Sequence, residues 1–180
     1  MRAAYQGVDA LVSIGAILRH ERESERNFRR RLAELYTFNY SRAVVDLFTH
    51  YLFRKPARRD LGPLAQDPLW QQFADDCDLW GANFEVFLLE QQRVAAIMGH
   101  AGILVDKYPS RALTRAQEIE QGLYPYCSAY SPLSILDWRH ERDASGRPYL
   151  AYLKLLEDDS LYRLWWPQGW EIWRMEQGEG

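Results

Sequence analysis

The sequence is poor in the residues that usually announce chemistry. Among its 180 residues are two cysteines, Cys77 and Cys127, and four histidines. Neither cysteine has a neighbour at zinc-ligand spacing. His20, His50, His100 and His140 form no two-histidine helical pair, so a metal site would require folding to gather groups such as His100 and Asp106. Two unclustered cysteines suit a reducing compartment, where a buried thiol serves as a small hydrophobe. No metal and no cofactor are expected.

Long apolar runs are also missing. Val94 to Met98 is among the longest, far short of the ~20 residues that a membrane helix needs. Met1 is followed by no basic segment leading into a long apolar one, so neither a secretory signal nor a membrane partner is expected. An excess of positive charge is absent too. Lys and Arg number 22 against 25 Asp and Glu, a formal net charge of −3. Proteins that hold nucleic acid by charge are usually basic, so any such role here must come from local patches or assembly geometry. There is no internal repeat and no low-complexity tract.

One stretch tests the remaining enzyme classes. "GHAGILVDK", Gly99 to Lys107, has two residues between its glycines and no hydroxyl after its lysine, unlike a P-loop, and it runs into a strand instead of out of one. The simpler reading is a helix stop at Gly99, a tight entry at Gly102 and a buried strand at Ile103–Val105. No Gly-x-Ser-x-Gly elbow occurs. Cys77 lies in Asp75-Asp76-Cys77-Asp78, an acidic setting that should raise its pKa and lower its reactivity. The pairs Asp75/Asp76 and Asp158/Asp159 are adjacent in sequence, so their carboxylates do not face each other on a helix, and caps or turns suit them better.

What the chain has in abundance is aromatic surface. Aromatic residues make up 14% of it, with seven Trp and eleven Tyr, and apolar residues 47%. Such surface must enter a core or a partner. The pattern predicts helices first and strands later, an α+β order with N-terminal helices packed on a small antiparallel sheet. Residues 1–123 read as mainly helical with one strand near 102–106, and 124–180 as the β-rich part of the same domain. A short helix is predicted over Val8–Leu18. Phe28, Leu32, Leu35 and Tyr36 form one helical stripe. Asn39 or Ser41 can cap a helix carrying Val44, Val45, Phe48, Tyr51 and Leu52, which Lys55-Pro56 should end. Asp67-Pro68 reads as cap and first turn of another helix. The longest helix is placed at about Asp78 to Met98. Thr114 with Gln117 suggests a capping box. After Tyr124, short aromatic segments separated by turn residues signal a meander.

Two features could bind a partner. Arg29, Arg30 and Arg31, and the run containing Arg54, Lys55, Arg58 and Arg59, could touch nucleic-acid phosphates. The first run also lies among Glu21, Glu23, Glu25 and Glu34 at spacings that permit ordinary ion pairs. Trp165, Trp166, Trp170 and Trp173 could stack on bases or sugars, close a β core, or bury against another subunit.

Three segments carry a family likeness. "FRRRLAELYTFNYSRAVVDLFTHYLFRKP" resembles the early helical region of bacteriophage portal proteins. "GHAGILVDKYPS" and "PYCSAYSPLSILDWRHERDASGRP" resemble successive segments of a portal-like phage family. The likeness runs from about Phe28 to Trp173 and rests on order and spacing. It implies a structural, non-enzymatic protein, part of the outer wing of a homo-oligomeric ring, typically of about twelve subunits. Such a ring sits in the virion, and in the host cytoplasm during assembly. It implies capsid, terminase and head-tail adaptor proteins as partners, with double-stranded DNA in a central channel. Portal proteins continue beyond this wing into stem helices, a clip and a crown, so a fragment or a truncated relative is expected. Channel-lining and motor-docking roles carry over to no residue here. The alternatives are a stand-alone interaction module on the same scaffold and, more distantly, a small hydrolase or nucleotide-binding enzyme.

Overall fold

The structure is a computed structural model that describes residues 1–108 and 114–175. Its architecture is α+β: among the described residues, seven helices are followed and interrupted by two antiparallel sheets.

The N-terminal helical block is built from local signals. Helix α1 (Arg2–Gln6) and helix α2 (Val8–Ser13) meet at Gly7, whose φ of 105° only glycine adopts easily. The helix expected over Val8–Leu18 therefore stops at Ser13, and Gly15 sits in a turn at φ 67°. Helix α3 (Glu25–Ala33) is capped by the Ser24 hydroxyl, which accepts from the amide of Asn27. It ends before Leu35 and Tyr36, so the predicted stripe is only half helical.

Helix α4 (Tyr40–Leu52) starts at Asn39, whose side chain accepts from the Arg42 amide. It ends at Leu52, three residues short of Lys55-Pro56. A 3-10 turn (Gly62–Gln66) leads to helix α5 (Pro68–Asp75), capped by Asp67. Helix α6 (Phe84–Met98) is capped by Asn83 and stopped by Gly99 in the left-handed conformation at φ 97°. The expected start at Asp78 is overruled by side chains. Asp78 Oδ1 accepts from the amides of Trp80 and Ala82, and Asp76 Oδ1 from that of Gly81. These bonds hold 76–82 as a turn, with Leu79 at φ 64°.

Strand β1 (Gly102–Asp106) pairs with strand β2 (Tyr126–Tyr130) alone. Ile103 and Val105, expected to be buried, are exposed: Cys127, opposite Val105 and on the same face, is buried against Phe87 of α6, so the helical layer covers the β2 side of the ribbon and leaves these two β1 side chains at its margin. Between them, helix α7 (Arg115–Glu120) begins with the predicted capping box of Thr114 and Gln117. The polar segment expected before it falls partly on 109–113, outside the described residues, as does 176–180 of the β-rich part.

Four strands then form a meander in the order β3 (Ile135–Arg142), β4 (Pro148–Asp158), β5 (Leu161–Trp166) and β6 (Gly169–Arg174). The core is small. Cys77, Phe87 and Cys127 are buried together, joined by Phe73, Ala82, Phe84 and Leu88. The Cys127 amide donates to the Cys77 carbonyl at 2.6 Å, tying the turn before α6 to β2. The helices thus pack on the two-stranded ribbon, while the meander makes its extensive contacts within itself. Gly102 marks the seam between the sheets: a Cβ there would lie 2.8 Å from Ile135 Cδ1.

Candidate interaction surfaces

The predicted basic candidates fall into two groups. On α3 the arginines are satisfied within the chain. Arg29 pairs with Glu25 at 2.9 Å and Arg30 with Glu34 at 3.0 Å, each one helical turn apart. Arg31 reaches back to Glu23 at 2.8 Å and to the Leu18 carbonyl, pinning the loop before α3. The Arg31 guanidinium holds the Glu23 carboxyl below its usual range by that hydrogen bond. In the second run, Arg59 pairs with Glu85 and lies over the Phe84 ring at 5.0 Å. Arg54, Lys55 and Arg58 are exposed and carry no ion pair among the described residues. The structure therefore separates the seven basic residues into four with an ion pair inside the chain and three with none among the described residues.

The predicted tryptophans lie on β5 and β6, but on two sides of the sheet. Trp165 pairs with Trp170 and shares its face, whereas Trp173 lies opposite Tyr162 on the other face. Trp166 alternates away from Trp165 along the strand. Across all four strands the register aligns Trp138, Leu153, Trp165 and Trp170 in one row. Trp138, at the β3 edge, escaped the sequence reading because only the register brings it into line.

A second group that the sequence concealed sits where the two sheets meet. Arg163 on β5 is an ion-pair partner of Glu157 at 2.6 Å and of Asp106 at 3.3 Å, 57 residues away. Its guanidinium also lies over the Trp170 ring at 5.0 Å. The Tyr130 hydroxyl donates to Glu157 at 2.7 Å, and burial together with that carboxylate pushes its pKa well up. The signal available in advance was a charged residue at an inward strand position between Tyr162 and Leu164.

Cys77 and Cys127 are free and buried. Burial pushes the Cys77 thiol up to about 11, and Cys127 and Asp78 add to the shift. The direction matches the sequence reading, but desolvation outweighs the acidic neighbours. Asp75 is exposed at the end of α5, and Asp158 accepts from the Ser160 amide in the β4–β5 turn. All four histidines are exposed, and the extended strand β1 separates His100 from Asp106. Among the described residues no three His, Cys, Asp or Glu side chains are grouped to hold a metal ion, and no helix there is long and apolar enough to cross a membrane.

The dominant surface is apolar. Tyr40, Val44, Leu47, Phe48, Tyr51 and Leu52 are all more than half exposed. They recur at i, i+4, i+7, i+8, i+11 and i+12, one continuous stripe along α4. The stripe is prolonged by a ladder of rings: Tyr36 meets Phe38 edge-on at 5.3 Å, and Phe38 meets Tyr40 at 6.0 Å. The opposite side of α4 is already engaged. Thr49 is buried there, and Asp46 accepts from the Tyr5 hydroxyl at 2.6 Å. With its inner side engaged, α4 is left with an apolar outer side that calls for cover of its own. A largely apolar groove of about 450 Å³ borders the stripe, lined by Met1, Tyr5, Tyr40, Val44 and Ile97 among others.

Compared with known protein families and with curated protein sequences, the chain matches none.

Proposed function

We propose that this protein is a structural subunit of a phage portal or portal-like ring, occupying its wing region. The observation that carries the reading is the uncovered surface. The chain exposes 13,986 Å², whereas a compact monomer of 21.2 kDa is expected to expose about 9,000 Å². The excess is rich in aromatic and aliphatic side chains, among them the α4 stripe and the tryptophans of the meander. Monomeric soluble proteins rarely leave such patches bare, and subunit interfaces resemble cores cut in half.

The portal resemblance gives this surface a specific use. A closed ring needs two different patches per subunit, one facing each neighbour. The protein supplies two, on separate elements. On this reading its work is to hold shape and not to transform a substrate. The polar junction at Arg163 suits that work, because it ties the meander to the two-stranded ribbon on which the helices pack.

The test is the mass and shape of the purified protein. Light scattering and negative-stain imaging at micromolar concentration should show closed rings of about a dozen copies. A stable monomer up to high concentration, or a one-to-one complex with an unrelated protein, overturns the reading; the latter outcome would identify an interaction module instead.

A further inference from the structure

We infer that the C-terminal half of the α4 stripe of one copy docks against Trp80 of the next copy, at the recess between the turn at 76–82, α6 and β2. The inference rests on the ring reading above and adds to it the residues that make the joint. The meander stays outside it.

Charge is the first argument, because the chain segregates it. Residues 26–59, which carry the stripe, hold nine Lys and Arg against two Asp and Glu. Residues 60–92, which carry the turn and the start of α6, hold seven Asp and Glu and no Lys or Arg. Part of each block is neutralised within the chain, Arg59 by Glu85 and Asp67 by Arg115. Left over are Arg54, Lys55 and Arg58, just past the end of the stripe, and Asp75, Asp76 and Asp78 around the turn, none with an ion pair among the described residues. Asp46, the one acid between Tyr36 and Arg59, sits on the inner side of α4 with Arg42 and Arg93. The outer side of α4 therefore ends in uncompensated cations, and the turn offers uncompensated carboxylates to meet them.

The second argument is the shape of the acidic side. Trp80 is 92% exposed. It is held outward by a fixed turn: Asp78 accepts from its amide, Asp76 accepts from that of Gly81, and Leu79 takes a left-handed conformation that is uncommon for leucine. An aromatic side chain set in place beforehand loses little freedom on binding and makes a strong anchor. Beside it a recess of about 390 Å³ is lined by Asp78, Ala82, Val86, Glu90 and Ala129 among others, and by no Lys, no Arg and no residue of α4 among the described residues. Phe48, Tyr51 and Leu52 of the stripe are each more than half exposed. Seating one of them in the recess lays Trp80 against the others and carries Arg54 and Lys55 toward the acidic turn.

Height is the third argument. Helices α4 and α6 run antiparallel: Asp46 meets Arg93, and Arg59, beyond the end of α4, meets Glu85 at the start of α6. The cationic end of the stripe and the Trp80 turn thus lie at the same end of the helix pair, on different elements. Two unlike patches at one height make a head-to-tail contact suited to closing a ring instead of climbing into a filament.

Two substitutions at exposed positions test this. Phe48→Glu breaks the stripe and Trp80→Ser removes the anchor. Each should weaken self-association about tenfold or more with the far-ultraviolet circular dichroism unchanged. Mixed in equal amounts, the two variants should form dimers and no larger species, since the pair retains one good stripe and one good anchor. Raising the salt from about 0.1 M to about 0.5 M should also weaken wild-type association. Independently, Trp80→p-benzoylphenylalanine irradiated in a mixture of ¹⁴N and ¹⁵N protein should crosslink to residues 44–58 of a different copy. An oligomeric wild type that either substitution leaves intact, or that salt does not weaken, overturns this inference alone. So does a mixture of the variants without dimers, or a crosslink from position 80 to any other part of another copy, to DNA or to another protein. A monomeric wild type overturns the ring reading and this inference together.

Discussion

Helices α4 and α6 begin alike and end up in different circumstances. Each is capped by an asparagine that accepts from the amide three residues on, Asn39 from Arg42 and Asn83 from Val86. Each is rich in apolar residues. Yet Phe87 of α6 is 5% exposed, packed with Cys77 and Cys127, while Phe48 of α4 is 55% exposed. Local chemistry forms both helices equally well. What differs is whether the chain itself supplies the cover.

That contrast can be broken at its strongest point first. Phe87→Ala removes a buried ring from a small core and should cost about 3–5 kcal/mol, enough to unfold much of the protein in a urea titration. Phe48→Ala, made as a monomer at high dilution, should change stability by no more than about 0.5 kcal/mol. Equal losses at the two positions would mean that the outer face of α4 is covered within the chain.

The next effect concerns pH. The buried Cys77 thiol has its pKa raised from 9.0 to about 11. A raised pKa adds stability that is complete below pH 9 and is lost as pH climbs through about 11, because the thiolate is better accommodated in the unfolded chain. Midpoints of urea unfolding should fall across that window. Cys77→Ala should flatten the fall, and Phe48→Ala should leave it unchanged.

Capping comes third. Asn83→Ala should cost about 1 kcal/mol. Asn39→Ala should cost more, because the Asn39 amide group also donates to the Tyr5 carbonyl at 2.8 Å and so fastens α1 to α4. Thermal melts of the two variants would rank them, and the reverse order would mean that the α1 contact adds nothing. Smallest is Thr49→Val on the inner side of α4. The Thr49 hydroxyl is buried without a hydrogen-bond partner among the described residues. Its replacement should stabilise by about 1 kcal/mol, read as a melting temperature a few degrees higher.

How far these helices could be read in advance follows from the same distinction. Asn39, Asp67-Pro68, Gly99 and the Thr114–Gln117 box were legible because each acts on amides within a few residues. The start of α6 was misplaced at Asp78 because Asp76 and Asp78 spend their carboxylates on turn amides, a competition that apolar spacing does not register. The exposure of Ile103 and Val105 was hidden for another reason: strand character says nothing about how far the layer that buries the facing Cys127 reaches across the ribbon. The Trp138–Trp170 row and the Arg163 junction depend on register and on partners up to 57 residues apart, which no local pattern carries. The basic residues were legible as charge, but only folded geometry separates Arg29, Arg30, Arg31 and Arg59 from Arg54, Lys55 and Arg58.

The grip on Arg163 has a mechanical consequence. Its guanidinium is clasped by Glu157 within the meander and by Asp106 on the small ribbon, with the Trp170 ring against it. The ribbon in turn is stitched to the foot of α6 through Cys127 and Cys77. A load applied at the tryptophan edge is therefore delivered to the long helix as through a strut, and the turn at Ser131–Ser134 cannot act as a free joint while that clasp holds.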